Sequence, residues 1–113
     1  MATFIKIIPA RNIKLFDSPP VFTGEQRKQI FTINKWELHL LETFTNPTNK
    51  VGFILQLGYF RAVNKFYTNK KFIKKDIEYI ARNLRINLKD IIIPEYKDRT
   101  FLRHQEIILD PSF

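Results

Sequence analysis

Residues 46–64 read NPTNKVGFILQLGYFRAVN, and the state of this run decides how the rest of the chain packs. Val51, Phe53, Ile54, Leu55, Leu57, Tyr59, Phe60 and Val63 leave few polar positions between them. A segment apolar on nearly every side is a buried helix rather than a surface one. Asn46 suits the N-cap, since its side-chain oxygen accepts a bond from a free N–H, and Pro47 suits the first helical position, where it has no N–H to waste. Asn64 suits a left-handed C-cap. The only strong charge from Val51 to Val63 is Arg61. Gly52 and Gly58 lie about 120 degrees apart round such a helix and open two faces to close neighbours. The expectation is a buried central helix near residues 47–63.

Around it, 113 residues with 44% hydrophobic content suffice for one compact domain and are too few for two ordinary ones. The chain has no cysteine, which removes a disulfide frame and thiol chemistry and favours a reducing cytoplasm. Met1 to Pro9 holds a short apolar run broken by Lys6, without a signal-peptide cleavage pattern, and no stretch approaches the ~18 uninterrupted apolar residues of a membrane span. A soluble protein without membrane contact is expected.

Charge is unevenly placed. Ten basic residues lie between Lys50 and Lys89 (Lys50, Arg61, Lys65, Lys70, Lys71, Lys74, Lys75, Arg82, Arg85, Lys89) against the two acids Asp76 and Glu78, and the remaining nine basic and nine acidic residues cancel. The whole +8 excess therefore belongs to this one segment. A field concentrated in that way attracts polyanions, whereas a dispersed one serves mainly solubility.

In chain order, residues 1–21 read as an arm. Phe4 to Ile8 is a short strand or an extended piece, and Ser18, Pro19 and Pro20 break any helix. Thr23 and Gln26 have capping-box spacing, with Phe22 placed as a hydrophobic staple, so a short helix is expected from about Gly24 to Phe31. Asn34 and Glu37 repeat that spacing ahead of a helix of about ten residues whose apolar face uses Trp36, Leu38, Leu40, Leu41 and Phe44, with Trp36 as a core anchor. His39 has no partner at metal-ligand spacing and reads as a surface or satisfied histidine.

After the central helix, Phe66 to Phe72 reads as a loop, followed by the clearest amphipathic pattern in the chain. With Lys74 at zero, Ile73, Ile77, Ile80, Ala81 and Leu84 fall in an arc of about 240 to 340 degrees, and Lys71, Lys74, Lys75, Arg82 and Arg85 fall between about 0 and 100 degrees. Only Glu78 interrupts the second arc. One helix from about Lys74 to Arg85 would thus be anchored on one side and hold five cations on the other, which suits a phosphate backbone. The plain structural alternative pairs Glu78 with Lys74 or Arg82 on a solvated face, but one anion serves five cations poorly. Asn87 to Asp90 suggests one more turn. Ile91 to Ile93 is a short strand or buried loop ended by Pro94. Thr100 is a candidate N-cap for a last helix to about Leu109, with Arg99, Arg103 and His104 near its start.

No residue set suits catalysis. There is no nucleophile paired with a histidine, no phosphate-binding glycine loop and no metal-ligand cluster, while Asp76 and Glu78, two apart, point to different parts of a helix surface. No enzyme activity, metal or cofactor is expected of these residues.

The run Asn49, Lys50, Val51, Gly52, Phe53, Ile54, Leu55, Gln56, Leu57, Gly58, Tyr59, Phe60, Arg61, Ala62 resembles the hallmark segment of the N-terminal domain of Tn-three-type (class II, replicative) transposases. In that family it is followed by a basic, aromatic link, by a helix ending like Tyr79, Ile80, Ala81, Arg82, Asn83, Leu84, and by a segment like Tyr96, Arg99, Thr100, Arg103, His104, Glu106, Ile107. The similarity runs from about Phe22 to the end of the chain. Many members carry a Gly-Arg or similar pair where Asn64 and Lys65 stand here, and asparagine still suits the helix C-cap.

The resemblance implies an all-α DNA-binding module, part of the grip of a large bacterial transposase on the terminal inverted repeats of its transposable element during DNA transposition, a form of DNA recombination. The chain would then be an N-terminal fragment or the product of a truncated gene, its partners double-stranded DNA and the remainder of the transposase, its location cytoplasmic and nucleoid-associated. The Asp-Asp-Glu catalytic domain of such enzymes lies far downstream and is absent from these residues.

The combined expectation is a single mainly α domain over residues 1–113, a bundle of about five helices around the central one, with short extended segments near 4–8 and 91–93. The link before the cationic helix is too long for an ordinary helix-turn-helix, so a variant is expected. Lys71, Lys74, Lys75, Arg82 and Arg85 would meet phosphates or a major groove, Lys65 and Lys70 would steady the approach, and Arg99, Thr100, Arg103 and His104 form a second candidate contact unless they anchor the last helix. Two other classes stay open. A non-specific RNA or single-strand binder would stack bases on Phe66, Tyr67, Phe72 and Tyr79. A protein-interaction domain would use an exposed apolar patch.

Overall fold

A computed structural model describes residues 18–110, and the expected strand or arm at Phe4 to Ile8 lies outside them. Five α-helices follow in order, α1 (Gly24–Ile30), α2 (Lys35–Glu42), α3 (Pro47–Val63), α4 (Lys74–Asn83) and α5 (Asp98–Leu109), with 3-10 turns at Asn69–Lys71, Leu88–Asp90 and Ile93–Glu95. No strand occurs among the described residues, so the domain is all-α there. Residues 91 and 92 link two 3-10 turns, the second of which begins at Ile93, and Ile91 and Ile93 are half-buried. No helix among the described residues is long and apolar enough to cross a membrane.

The central helix has the expected bounds because both of its ends are fixed locally. The Asn46 side-chain oxygen accepts from the backbone N–H of Thr48 at 2.7 Å and of Asn49 at 3.4 Å. At the other end Asn64 takes the left-handed conformation, φ 58 and ψ 39, that stops the helix. Every residue from Val51 to Tyr59 is buried. Helices α1, α4 and α5 and the Ile93–Glu95 turn all pack against this rod.

The two glycines of α3 do what their separation predicts. A methyl group at Gly52 would overlap the Tyr96 ring, and one at Gly58 would overlap the Phe31 ring, with Ile30 Cγ2 only 3.1 Å away. Two groups of aromatic rings, joined by Phe72 at 6.1 Å from Tyr59 and 5.9 Å from Tyr96, pack around the space so opened. Phe22, Phe31, Tyr59 and Tyr67 form the first, with Phe31 meeting Tyr59 edge-on at 5.8 Å and Tyr59 meeting Tyr67 at 5.6 Å. The second joins Phe44, Phe53, Tyr96, Phe101 and His104. Each such pair adds about 0.5–1.5 kcal/mol beyond the burial of its area.

Thr23 and Gln26 close a capping box, with both reciprocal bonds formed at 2.9 and 3.1 Å. The staple takes another form. The fourth helical position holds Arg27, which donates to the Phe22 carbonyl at 3.0 Å, while the Phe22 ring turns into the aromatic cluster. Pro19 and Pro20, at the end of the expected arm, are buried rather than free.

Helix α2 corrects one expectation. Trp36 is not a core anchor: it is 41% exposed, and Leu38 is 46% exposed. The buried face is centred on Glu37 and Leu41 instead, and residues 36 and 38 stand about 100 degrees to either side of Glu37. Glu37 occupies the centre because its carboxylate accepts from the Asn34 backbone N–H at 3.0 Å and from Arg61 of α3. Arg61 also donates to the Thr32 carbonyl at 3.2 Å, so the one cation in the buried stretch of the central helix from Val51 to Val63 ties down α2. His39 is exposed, 3.8 Å from Glu42.

Helix α5 starts earlier than expected, at Asp98, with Lys97 at the N-cap, so Thr100 lies inside its first turn and caps nothing. Residues 64–73 join α3 to α4 through the Asn69–Lys71 turn, longer than the three- or four-residue turn of an ordinary helix-turn-helix.

Candidate nucleic-acid interface

Helix α4 owes its position to a buried polar knot. Asp76, fully buried in its first turn, accepts from Arg27 Nε at 2.7 Å and from the Tyr59 hydroxyl at 2.7 Å, and that hydroxyl accepts in turn from the Ile73 backbone N–H at 3.3 Å. Three helices are pinned at one carboxylate. Burial first, and then the neighbouring carboxylate, raises the Tyr59 hydroxyl far above its ordinary range, so it remains a hydrogen-bond donor. Ile80 and Ala81 are buried on the same side, with Ile77 and Leu84 packed half-buried beside them.

The other side of α4 holds Lys74, Lys75 and Arg82, all exposed. Among the described residues none of them has an ion-pair partner, Glu78 included. The two remaining members of the expected ridge are exposed but are placed by other means. Lys71 belongs to the 3-10 turn, since the extended residues Phe72 and Ile73 separate it from the helix. Arg85 lies beyond the helix end. Its N–H bonds the Arg82 carbonyl at 3.2 Å and the Ile86 N–H bonds the Ala81 carbonyl at 2.8 Å, a Schellman closure with Arg85 in the left-handed region at φ 58. Helical rotation therefore fixes three of the five cations, and turn geometry fixes the other two.

Lys70 is exposed in the turn before α4, and Lys65 is half-buried with its Nζ 5.3 Å from the centre of the Tyr67 ring. The two internal pairs take Arg61 and Asp76 out of the segment's surface balance and leave its +8 excess unchanged.

The second candidate contact is divided by the structure. Arg99 and Arg103 are exposed on α5 with no ion-pair partner among the described residues, and Thr100 is half-buried. His104 leaves the contact set. It is 3% exposed, stacked on Phe44 at 4.8 Å, with Nδ1 2.6 Å from the Tyr96 hydroxyl. Gln56 Nε2 donates to that hydroxyl at 3.2 Å and holds the phenol against the ring. Burial, and then Arg103, lowers the His104 pKa to about 4, so the ring is neutral at pH 7. A neutral ring so enclosed offers a phosphate neither charge nor access.

The aromatic residues that base stacking would require are engaged elsewhere. Tyr67 and Phe72 are buried, Phe66 stacks on Phe60 at 4.9 Å, and Tyr79 packs on Phe31 at 6.5 Å. Among the described residues no group of histidine, aspartate and glutamate side chains could hold a metal ion.

Asp76 and Glu37 were not legible as core residues, because their partners are remote in sequence. The only available signal was spacing: Glu37 stands three residues after a capping asparagine. No curated protein and no solved structure matches the chain. A family profile described as a domain of unknown function, DUF4158, matches residues 7–111, nearly the whole length with all five helices inside it, and the chain belongs to that family.

Proposed function

We propose that this domain binds double-stranded DNA through the exposed side of α4 and the turn that precedes it, as the N-terminal module of a Tn-three-type transposase engaging the terminal inverted repeats of its element. The carrying observation is the division of α4 into a face locked in the core by Asp76, Ile80 and Ala81 and a face where Lys74, Lys75 and Arg82 stand exposed with no ion-pair partner among the described residues. Cations on a rigid helix lose little freedom on meeting phosphates, and each contact releases condensed counterions. Lys70, Lys71 and Arg85 flank that face, and Arg99 and Arg103 offer a separate, smaller contact. Duplex is preferred to single strands in this reading because Phe66, Tyr67, Phe72 and Tyr79 are committed to internal packing. The transposase assignment rests on the three sequence motifs.

Replacing Lys74, Lys75 and Arg82 together by glutamine tests it. All three are exposed, so circular dichroism and the thermal midpoint should stay near those of the parent, while the slope of log affinity against log salt falls by about 2.7 for three lost phosphate contacts. A retained slope in the folded variant rejects α4 as the contact. Selection from a random duplex pool addresses the inverted-repeat reading separately, which requires enrichment of a common sequence.

A further inference from the structure

We infer that the groove between the Asn69–Lys71 and Ile93–Glu95 turns is a second seat for a DNA sugar–phosphate strand, with Lys70 and Lys97 as its two phosphate contacts. The inference rests on the reading of α4 as a DNA-binding face and extends it to a residue outside the basic segment. The groove has a volume of about 420 Å³ and is lined by Asn69, Lys70, Ile93, Pro94 and Lys97. Its walls are fixed with respect to each other, since the two turns pack together and Asn69 Nδ2 donates to the Ile93 carbonyl at 3.1 Å. Lys70 and Lys97 are both exposed, and neither has an acidic partner among the described residues.

The chemistry of the lining matches one strand of a duplex. Ile93 and Pro94 supply apolar surface, and proline has no N–H to direct at a ligand. The two ammonium groups stand along the same groove. A deoxyribose phosphate presents the complementary pair, an apolar sugar face beside an anionic phosphate. The Asn69 amide gives one of its two N–H groups to the Ile93 carbonyl, which holds the side chain in the wall, and contacts from Lys70 and Lys97 to phosphates position the strand without carrying sequence information. Lys70 adjoins Lys71 in the turn that precedes α4, four residues before its first residue Lys74.

Acidic groups limit how far the strand can run. Glu95 is exposed on the Ile93–Glu95 turn, and Asp98 lines the smaller hollow beyond, with Thr68, Tyr96 and Phe101. The strand must cross the groove rather than follow it toward α5. Sequence alone conceals this seat because Lys97 lies past the segment that holds the charge excess and reaches Lys70 only through the packing of two turns.

The test measures the salt dependence of binding to two labelled duplexes of equal length and unrelated sequence. It compares the full chain with Lys97→Gln, Lys70→Gln, the α4 triple glutamine variant, and Lys35→Gln as a control on the exposed start of α2. Thermal melts confirm that each variant is folded. Lys97→Gln and Lys70→Gln are each expected to lower the slope by about 0.9, equally on both duplexes, with Lys35→Gln unchanged. An unchanged slope for Lys97→Gln beside a flattened one for the α4 variant overturns the groove and leaves the α4 reading standing. An equal fall for Lys35→Gln reduces the effect to net charge and overturns the groove as well. If the α4 variant keeps the parent slope, both readings fall.

Discussion

Arg27 and Asp76, 49 residues apart in sequence, meet at 2.7 Å with the carboxylate fully enclosed. That single bond joins the first turn of the cationic helix to α1, and the Tyr59 hydroxyl on the other carboxylate oxygen joins it to α3. The orientation of a proposed DNA-binding surface thus depends on an ion pair that touches no DNA.

Arg27→Ala and Asp76→Ala should each destabilise the fold by about 3–5 kcal/mol, because each leaves the other charge in a site with little water. The two effects should be far from additive, since the double variant leaves no orphaned charge. Urea denaturation of the two single variants and the double variant measures this cycle. Additive losses would show that the pair is not a coupled unit.

The glycines of α3 reverse a general rule. Glycine to alanine inside a helix ordinarily gains about 1 kcal/mol from propensity. Gly52→Ala and Gly58→Ala should instead lose about 1–3 kcal/mol, since the new methyl group meets the Tyr96 ring at one site and the Phe31 ring and Ile30 at the other. Gly24→Ala, with nothing within 4 Å of the added carbon, is the control and should be neutral or stabilising. Thermal midpoints of the three variants decide the matter.

His104 makes stability depend on pH with a definite sign. Its folded pKa is lowered to about 4 from 6.5, so the unfolded chain binds a proton before the folded one does. The neutral-ring contribution is complete above pH 6.5 and is lost progressively as pH falls toward 4, by up to about 3 kcal/mol for this buried ring. Denaturant midpoints from pH 7 to pH 4 should show the decline. His104→Gln should be less stable at pH 7 and have a flatter profile in that window. A parallel profile would remove His104 as its source.

What the sequence disclosed here was whatever local rules control. Asn46, Pro47 and Asn64 set the ends of α3 through bonds and torsions within a few residues, and the 3.6-residue period assigned Ile80 and Ala81 to one side of α4 and Lys74, Lys75 and Arg82 to the other. Contacts between remote positions stayed hidden. Glu37 displaces Trp36 from the core because Arg61, 24 residues on, supplies its counter-charge. His104 enters the core because Tyr96 and Phe44 receive it, where position alone suggested a cation near a helix start. Lys71 and Arg85 were assigned to a helical face by counting residues through an extended link and past a cap that the period does not register.

Arg85 allows stability and binding to be moved in opposite directions. Its left-handed backbone, φ 58, costs an L-residue with a β-carbon about 1–2 kcal/mol that glycine avoids. Its N–H and that of Ile86 close the end of α4 through the backbone, so Arg85→Gly keeps both bonds to the Arg82 and Ala81 carbonyls. The greater freedom of glycine in the unfolded chain offsets part of the relief, and the net expected gain is about 0.5–1 kcal/mol. The same substitution removes an exposed cation beside the proposed DNA-binding face, so the salt slope should fall by about 0.9 while the thermal midpoint rises. Arg85→Ala separates the causes: it loses the cation and keeps the backbone strain, so it should match Arg85→Gly in slope and fall below it in stability. Equal stability of the two variants would show that the left-handed turn carries no strain, and an unchanged slope in both would place Arg85 outside the contact.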